Sequence, residues 1–208
     1  MENVIISNSY TSNGYLFDIY GHKLENQHIN IRNLTFSDSS SLLHGDVIKV
    51  DIENSVFKNI TKNTFSPLVS NSKFSTFNIS NTKFTDLILS NGLLNEESQC
   101  TLNNIKIDNV KSNGRALLYF INNNIIINNS EFDNINCMGD INYSSLILFN
   151  SEDANVKLNL NNIVIKNSNS NGPLIKIDGN SNEFLIKNSK ISKISSYGPI
   201  IEVLSKKV

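Results

Sequence analysis

One short phrase recurs along the whole chain and restricts its fold more than any other feature. It is an asparagine followed three residues later by phenylalanine or isoleucine. The copies read NLTF at Asn33, NSVF at Asn54, NTKF at Asn81, NIKI at Asn104, NSEF at Asn129, NIVI at Asn162 and NSKI at Asn188, and a weaker copy, NSYT, begins at Asn8. Spacings of about 21 to about 33 residues are typical of a solenoid with insertions in some of its loops.

Short strand patterns surround each copy of the phrase. Before the asparagine, apolar and polar residues alternate, as in Val50-x-Ile52, and after it a turn leads to another apolar segment, such as GPLIKI at 172–177. Three short strands cannot bury their apolar face alone, whereas stacked units share one continuous core. The sequence therefore predicts an all-β fold, a right-handed parallel β-helix of about eight coils with three short strands per coil. At the usual strand spacing this rod would be about 38 Å long.

The repeated asparagine has a structural explanation in such a fold. A sharp bend between strands needs a left-handed backbone, which asparagine tolerates better than most residues. Stacked amides also donate to one neighbour and accept from the other. We therefore predict a structural ladder of Asn33, Asn54, Asn81, Asn104, Asn129, Asn162 and Asn188. The apolar residues that end each phrase should stack inside the coil, namely Phe36, Phe57, Phe84, Ile107, Phe132, Ile165 and Ile191.

The composition favours strands over helices. The chain contains 37 asparagines among 208 residues, and asparagine and serine side chains compete for the backbone hydrogen bonds of a helix. A disordered Asn/Ser-rich tract is one alternative, but the apolar residues are regularly spaced and plentiful enough to build a core. A leucine-rich repeat is another, because LNNIKIDNV at 102–110 loosely fits its pattern, although the other units do not.

Charge and hydropathy bear on partners and location. The formal net charge is −1 at pH 7, and we expect no nucleic-acid partner because such binding needs a basic patch. No apolar run approaches the roughly 20 residues of a membrane helix, so no membrane span is predicted. The first ten residues lack the zones of a signal peptide, so the protein is either cytosolic or exported by a signal outside this sequence. We favour export, which fits the glycosylation sequons at Asn33, Asn59, Asn78, Asn128 and Asn142.

No combination of residues points to catalysis. Pectin-active β-helix enzymes need clustered acidic and basic motifs, yet the chain has only Arg32 and Arg115 as arginines and no complete motif. The three histidines fall in the first two coils, where a metal site is one reading and ordinary surface histidines the preferred one. Cys100 and Cys137 either pair or remain free, and their different positions within the repeat favour free thiols. We predict no catalytic residues, no metal and no cofactor.

The loops and the outer surface are the places where a partner could bind. In a solenoid these parts vary while the core repeats. Tyrosine is favoured in binding patches because it offers a large contact area with few torsions and a polar tip. The candidate partner-binding residues are Tyr20, His22, Tyr119, Met138, Tyr143 and Tyr197. The opposing interpretation is that these side chains are ordinary surface residues in tolerated insertions.

The Asn/Ser/Ile-rich units, the NSxF turns and the NGPLI segment resemble the right-handed parallel β-helix repeats of large surface and scaffold proteins. They are most similar to the cohesin-type repeats of scaffoldins from the cellulosomes of anaerobic gut fungi. The resemblance covers nearly the whole chain. It implies an extracellular or cell-surface protein. Because strand-like residues start at Val4 and no separate cap is recognisable at either end, we expect residues 1–208 to form a single β-helix repeat domain that is a fragment of a longer array or a module that abuts copies of itself.

The same resemblance implies a non-catalytic function. The chain would be a protein-binding scaffold module, cohesin-like, that docks dockerin-like domains of secreted plant-cell-wall-degrading enzymes. The alternative is a cell-surface adhesin or a carbohydrate-binding β-helix, with polysaccharide as the partner. A pectin-active lyase or hydrolase is the least favoured of the three.

Overall fold

All regular elements among the described residues are strands. The computed structural model describes residues 1–12, 14–22, 27–62, 66–140 and 144–205, and this part of the chain contains no helix. In chain order the strands are β1 (Ile5–Ser7), β2 (Tyr15–Tyr20), β3 (Gln27–Arg32), β4 (Thr35–Ser37), β5 (Ser41–Asp46), β6 (Ile48–Glu53), β7 (Val56–Lys62), β8 (Ser70–Ser80), β9 (Lys83–Leu89), β10 (Leu94–Asn103), β11 (Lys106–Ser112), β12 (Ala116–Ile121), β13 (Ile125–Cys137), β14 (Ser145–Asn150), β15 (Val156–Ser170), β16 (Ile175–Gly179), β17 (Asn182–Lys187), β18 (Lys190–Ser196) and β19 (Ile201–Ser205). None of the described residues forms a helix long and apolar enough to span a membrane.

The strands wind into a parallel β-solenoid with three faces. Face A contains β3, β6, the second halves of β8 and β10, the first halves of β13 and β15, and β17. Face B contains β1, β4, β7, β9, β11, the second halves of β13 and β15, and β18. Face C contains β2, β5, the first halves of β8 and β10, β12, β14, β16 and β19. Every strand pairs in parallel with its equivalents one turn away, which confirms the predicted fold class.

The number of turns and the first ladder position differ from the prediction. The register of β1 with β4 aligns Asn3, not Asn8, with Asn33. The ladder therefore runs from Asn3 to Asn188 and encloses about seven turns rather than about eight coils. Asn8 aligns with Asp38 at a different bend. The phrase NSYT was misleading because its asparagine also occupies a left-handed bend, but in a second column.

Each turn contains two left-handed bends, five residues apart. The first is the ladder asparagine, and all seven predicted positions have φ between 49° and 54°. The second column was not predicted, and its members also have positive φ: Asn8, Asp38, Asn59, Asp86, Asn109, Asn134, Asn167 and Lys193. Asparagine and aspartate dominate it because their short polar side chains tolerate this region of backbone space. The first column bends the chain from face A to face B, and the second column bends it within face B.

The asparagine ladder is confirmed, and it lies on the outer surface with its amides exposed. Its hydrogen bonds run from Asn33 Nδ2 to Asn3 Oδ1 (2.8 Å), Asn104 Nδ2 to Asn81 Oδ1 (2.7 Å), Asn129 Nδ2 to Asn103 Oδ1 (3.0 Å), Asn162 Nδ2 to Asn129 Oδ1 (2.8 Å) and Asn188 Nδ2 to Asn161 Oδ1 (3.1 Å). In each of these bonds the later turn donates its nitrogen to the oxygen of the earlier turn. The ladder therefore has a direction along the rod.

The serine after several ladder asparagines turns inward and satisfies backbone groups at the bend. Ser130 Oγ donates to Asn128 O at 2.6 Å and accepts from Ile105 N at 3.2 Å, one turn below. Ser55 makes the same pair of bonds, with Glu53 O at 2.8 Å and Leu34 N at 3.1 Å. Buried backbone groups need such partners because an unpaired one costs about 1–3 kcal/mol. This requirement explains the serine in the recurring NSxF phrase.

A column of apolar side chains fills the interior behind face B. The rings of Phe36 and Phe57 lie 5.2 Å apart between centroids, and those of Phe57 and Phe84 lie 4.9 Å apart. The register carries the column on through buried side chains at Ile107, Phe132 and Ile165. Each such burial is worth about 1.5–3 kcal/mol. The predicted core is confirmed, and its last member, Ile191, is only partly buried because no described strand covers β18.

Asn129 offers a test that separates the two roles of a ladder residue, because it donates to Asn103 and accepts from Asn162. Asn129→Gly keeps the left-handed bend but removes both amide bonds, and should lower the free energy of unfolding by about 1 kcal/mol. Asn129→Ala should lower it by about 2 kcal/mol, because alanine also strains at positive φ. Urea unfolding monitored by circular dichroism gives both values. Equal stabilities, or alanine above glycine, would contradict the assigned bend.

Candidate binding surface

The residues predicted to bind a partner fall in three separate places. Tyr20 ends β2 on the outside of face C, where it is 57% exposed, and His22 follows it as an exposed residue at the bend from face C to face A. Tyr119 lies on the same face in β12, four strands further along. Met138 and Tyr197 lie on the bend from face B to face C. Tyr143 lies outside the described residues.

Tyr119 takes part in a contact within face C, and Met138 and Tyr197 are separated from each other. The Tyr119 side chain is half-buried, and the Arg115 guanidinium lies 5.3 Å from its ring centroid, so the pair covers one part of face C. Met138 and Tyr197 are 51% and 71% exposed and occupy one column two turns apart, because Cys137 aligns with Ser170 and Ser170 with Ser196. The residue between them in that column is Asn171. They are therefore neighbours about 10 Å apart rather than a contiguous aromatic patch.

Tyr20 belongs to a cluster on the first two turns of face C. Its ring meets that of His44 edge-on, with centroids 5.9 Å apart, and the ring of Tyr15 lies 5.1 Å from His44 on the other side. Asp18 Oδ1 lies 2.9 Å and Tyr20 Oη 3.2 Å from the same nitrogen, His44 Nδ1. Partial burial, hydrogen bonding to Asp18 and the charges of Asp18 and Asp46 raise the pKa of Tyr20. The phenol therefore stays a neutral donor in this acidic surrounding.

Phe74 is the most unusual surface residue, and sequence reasoning missed it. It lies at the bend from face C to face A, has φ of 52° and is 72% exposed. A left-handed backbone costs an ordinary residue roughly 1–2 kcal/mol, and is rarest for bulky side chains. The exposed ring recovers little of that cost by burial. Val47, one turn earlier in the same column, has φ of 56°, so the left-handed bend belongs to the column, and Phe74 differs from Val47 in leaving a large apolar ring exposed.

The backbone around Phe74 is held firmly enough to maintain this strain. The carbonyl oxygen of Lys73 accepts from Val47 N at 3.1 Å and from Ser75 Oγ at 2.7 Å. The Ser75 amide donates to Ser98 Oγ at 3.2 Å, in the next turn. Neighbouring turns therefore fix the residues on both sides, and the bend cannot relax without breaking these bonds.

Tyr20 and Phe74 lie close to each other at one edge of the rod. Tyr20, Asp46 and Lys73 occupy one column of face C, and Val47 and Phe74 follow in the next column at the bend. Tyr20 and Phe74 are two turns apart, about 10 Å along the axis. We call Tyr20, His44, Val47 and Phe74, with the rim residues Asp18, Asp46 and Lys73, the aromatic patch. The only signal for it in the sequence is a phenylalanine at the position where earlier turns carry Gly21 and Val47.

The histidines do not come together as a metal site. His28 lies on face A, where its Nε2 is 2.6 Å from Asp51 Oδ2, whereas His44 lies on face C beside Asp18. Across the described ranges, no group of three or more His, Cys, Asp and Glu side chains is arranged to hold a metal ion. His28 and its neighbours hold the pKa of Asp51 below its usual value, through hydrogen bonds from Asn78 and His28 that outweigh burial. This pairing is an exterior contact between turns.

A carboxyl group lies inside the coil. Glu96, in β10, is completely buried, and its Oε2 shares a hydrogen bond with Ser72 Oγ, which lies 3.1 Å from Ser98 Oγ. Its Oε1 has no hydrogen-bond partner among the described residues. Burial raises the pKa of Glu96 to about 8, although hydrogen bonds from the neighbouring serines oppose the rise. The group is therefore mostly protonated at neutral pH and closed to any substrate.

Both thiols are buried and free, which confirms the favoured interpretation of the cysteines. Cys100 lies on face A and Cys137 on face B, so no disulfide joins them. Burial raises the pKa of Cys137 to about 12, and burial together with the nearby Glu96 raises that of Cys100 well above its usual value. Thiols held protonated in this way are poor nucleophiles and poor metal ligands.

Comparison with known proteins adds a weak structural similarity. No protein-family model matches the chain, and no curated protein matches it. Among solved structures, the surface protein and adhesin PfbA of Streptococcus pneumoniae aligns over 98% of this chain and 67% of its own, with 12% sequence identity and a TM-score of 0.20. A similarity of this size carries no argument about function.

Glu96→Gln should change how stability depends on pH. The folded carboxyl binds its proton up to a pKa of about 8 and the unfolded one only to about 4.5, so its stabilising effect is complete below pH 4.5 and is lost as the pH rises to 8. The loss is at most about 1.4 kcal/mol per pH unit. Glutamine does not titrate, so the variant should gain stability relative to the wild type between pH 5 and pH 8. Melting temperatures at several pH values measure the difference.

Glu97→Gln is the matched control for this experiment. Glu97 is the next residue, lies on the outer surface and pairs with Lys73 at 3.2 Å. Its substitution should leave the slope of stability against pH close to that of the wild type. A wild type whose stability does not fall between pH 5 and pH 8 would show that Glu96 is ionised or hydrated inside the coil.

Proposed function

We propose that the protein is a non-catalytic scaffold module of a secreted or cell-surface protein, and that it binds a protein partner through the aromatic patch. The observation that carries the proposal is Phe74, a strained and exposed aromatic residue that contributes little to folding. The partner class is the one that the resemblance to fungal scaffoldin repeats suggests, a dockerin-like domain of a secreted enzyme. In this role the chain is cohesin-like in function.

The patch has the composition of a docking site. Phe74 and Tyr20 offer rigid rings with few torsions, and such side chains supply much of the binding energy at protein interfaces. Phe74 lies in β8, which pairs with the turns on either side, and Tyr20 lies in β2, which pairs with β5. Little conformational freedom would be lost on binding, which favours affinity.

The charged residues at the rim of the patch indicate which kind of partner surface would complement it. Asp18 and Asp46 carry negative charge beside Tyr20, while Lys73 is paired with Glu97. A surface with an apolar pocket for Phe74, flanked by lysine or arginine, would complement this arrangement. Such rim charges chiefly set the rate of association and the choice of partner.

The function is tested by titrating the 208-residue protein with purified dockerin domains from gut fungal enzymes and measuring binding by calorimetry. Pull-down on cellulose, xylan and pectin runs in parallel, together with a reducing-sugar assay. Saturable binding to a dockerin, without retention on polysaccharide, supports the proposal. Retention on a polysaccharide alone, or release of sugar products, would replace it with a carbohydrate-binding or an enzymatic function.

Phe74→Asn is the sharpest variant, because asparagine suits the left-handed bend. The free energy of unfolding should stay unchanged or rise by up to about 1 kcal/mol. Partner affinity should fall about 30-fold or more, as expected for loss of an aromatic hot spot. Ile88→Asn is the matched control, since Ile88 is 51% exposed on face B, away from the patch. Undiminished affinity in the Phe74 variant would remove the patch from the binding site.

A further inference from the structure

The turn after Phe74 is one residue short at the bend from face C to face A. There Phe74 and Ser75 of β8 lie together opposite the single residue Ser98 of β10. The next turn, in passing from β12 to β13, again has one residue more than β10 at this bend. A two-against-one pairing of this kind is a β-bulge, which interrupts the regular ladder and re-aims a side chain. The bulge leaves Phe74 outside the regular pairing between the two strands.

A buried hydroxyl holds the backbone at the bulge. Ser98 Oγ accepts a hydrogen bond from the Ser75 amide, immediately after Phe74, at 3.2 Å. One turn earlier, Ser75 Oγ accepts from the Ile48 amide at 3.1 Å in the same way. Ser98 is completely buried, so solvent does not compete for this bond. The direction in which Phe74 projects therefore depends on where Ser98 Oγ is held.

Ser98 is held in turn by a buried carboxyl group. Its Oγ lies 3.1 Å from Ser72 Oγ, and Ser72 Oγ shares a hydrogen bond with Glu96 Oε2. We call Glu96, Ser72 and Ser98 the serine–carboxyl cluster. All three side chains are at most 1% exposed. The cluster forms a continuous hydrogen-bonded path from the interior carboxyl to the Ser75 amide at the bulge, so the protonation state of the carboxyl bears on the bend.

No buried charge faces Glu96. Among the described residues it is the only acidic or basic side chain that is buried, and faces A and B present apolar side chains, serines, threonines and thiols to the interior. At its level in face C, β8 presents Ser72 and β12 a phenylalanine ring. On β10, burial and the nearby Glu96 raise the pKa of the inward Cys100 well above its usual value. Lys73 and Glu97 lie outside and pair with each other at 3.2 Å. A charge on Glu96 would therefore lie unbalanced in the interior.

We propose that the serine–carboxyl cluster positions Phe74 for the partner, and that ionisation of Glu96 loosens the bulge and weakens binding. This inference rests on the proposed function and adds a regulation of the same site. A carboxylate needs more hydrogen bonds than the neutral acid, yet Oε1 of Glu96 has no partner among the described residues. An ionised Glu96 would draw Ser72 toward itself or admit water, and either change disturbs the contact with Ser98. Glu96 is thus a positioning residue that does not touch the partner.

The direction of the pH dependence follows from the burial of the carboxyl. Burial raises the pKa of Glu96 to about 8, so the folded protein keeps the proton below about pH 7 and loses it by about pH 9. Partner affinity should be full on the acidic side of this window and should fall about tenfold across it. The patch itself contains titratable groups, among them Tyr20 and His44, so each affinity is compared with that of Glu96→Gln at the same pH. The variant should show no such fall.

A tryptophan at position 74 reports on the bend without any partner. The chain has no tryptophan of its own, so Phe74→Trp introduces a single fluorophore. Its fluorescence anisotropy should fall with a midpoint near pH 8, measured between about pH 6 and about pH 9, while circular dichroism shows the solenoid intact. Glu96→Gln in this background should remove the transition. Glu97→Gln changes the adjacent outward carboxyl, so it is the matched control and should retain the transition.

Ser98→Ala tests the link between the cluster and the bulge. It removes the acceptor of the Ser75 amide, so the anisotropy at pH 7 should already match that of the ionised form, and affinity for the dockerin domains of the binding titration should fall about tenfold. Ser130→Ala is the matched control, because Ser130 Oγ accepts from Ile105 N at 3.2 Å at the bend from face A to face B. It loses a similar bond and should leave both readings unchanged.

The outcomes separate this inference from the proposed function. An anisotropy transition that Glu96→Gln removes supports the positioning of Phe74 even where no dockerin domain binds, and then only the proposed function fails. A constant anisotropy from about pH 6 to about pH 9, or a transition that Glu96→Gln retains, would overturn the positioning role whether or not a dockerin domain binds. A transition that coincides with loss of β-structure would do so too, because it reports unfolding of the whole stack. Equal affinities of the wild type and Glu96→Gln at every pH would remove the regulation.

Discussion

The left-handed bend at asparagine is the constraint on which the solenoid depends. Two such bends, five residues apart, appear in each turn with φ near 50°, and a residue without a short polar side chain would be strained at most of them. Because the bends recur in fixed columns, the strands between them stay in register from one turn to the next. Register in turn decides which side chains face the core. The abundance of asparagine is therefore a backbone requirement, and the outward amides gain their ladder of hydrogen bonds as a consequence.

The side chains of the core form uniform apolar columns, except in the inner column of face C. Face B carries an unbroken column of phenylalanine and isoleucine, whereas the inner column of face C contains Gly45, Ser72 and then Glu96 before returning to Phe120. Glycine and serine leave room that a longer polar side chain can occupy. A buried carboxyl is tolerated there because it holds its proton and has Ser72 as a partner. The stack thus accepts a polar interior residue where its neighbours provide both space and a hydrogen bond.

The fold could be predicted because its sequence signals repeat in every unit. The aromatic patch could not be predicted because its residues do not repeat. The recurring NSxF phrase indicated three strands per turn, the ladder and the core column, since each signal is repeated in every unit. It could not distinguish Asn3 from Asn8, because both bends are filled by asparagine and only strand pairing separates the columns. Phe74 was missed for the opposite reason. It occurs once, in a bend whose left-handed backbone cannot be recognised from a phenylalanine, and its exposure depends on how three turns stack. The tyrosines chosen by residue type alone proved scattered along the rod.

A solenoid separates the variation of its outer surface from the regularity of its core. The lateral face varies freely, since its side chains leave the core unchanged, and there the aromatic patch occupies the first three turns. Binding residues on the outside can therefore change while the bends and the inner columns stay the same.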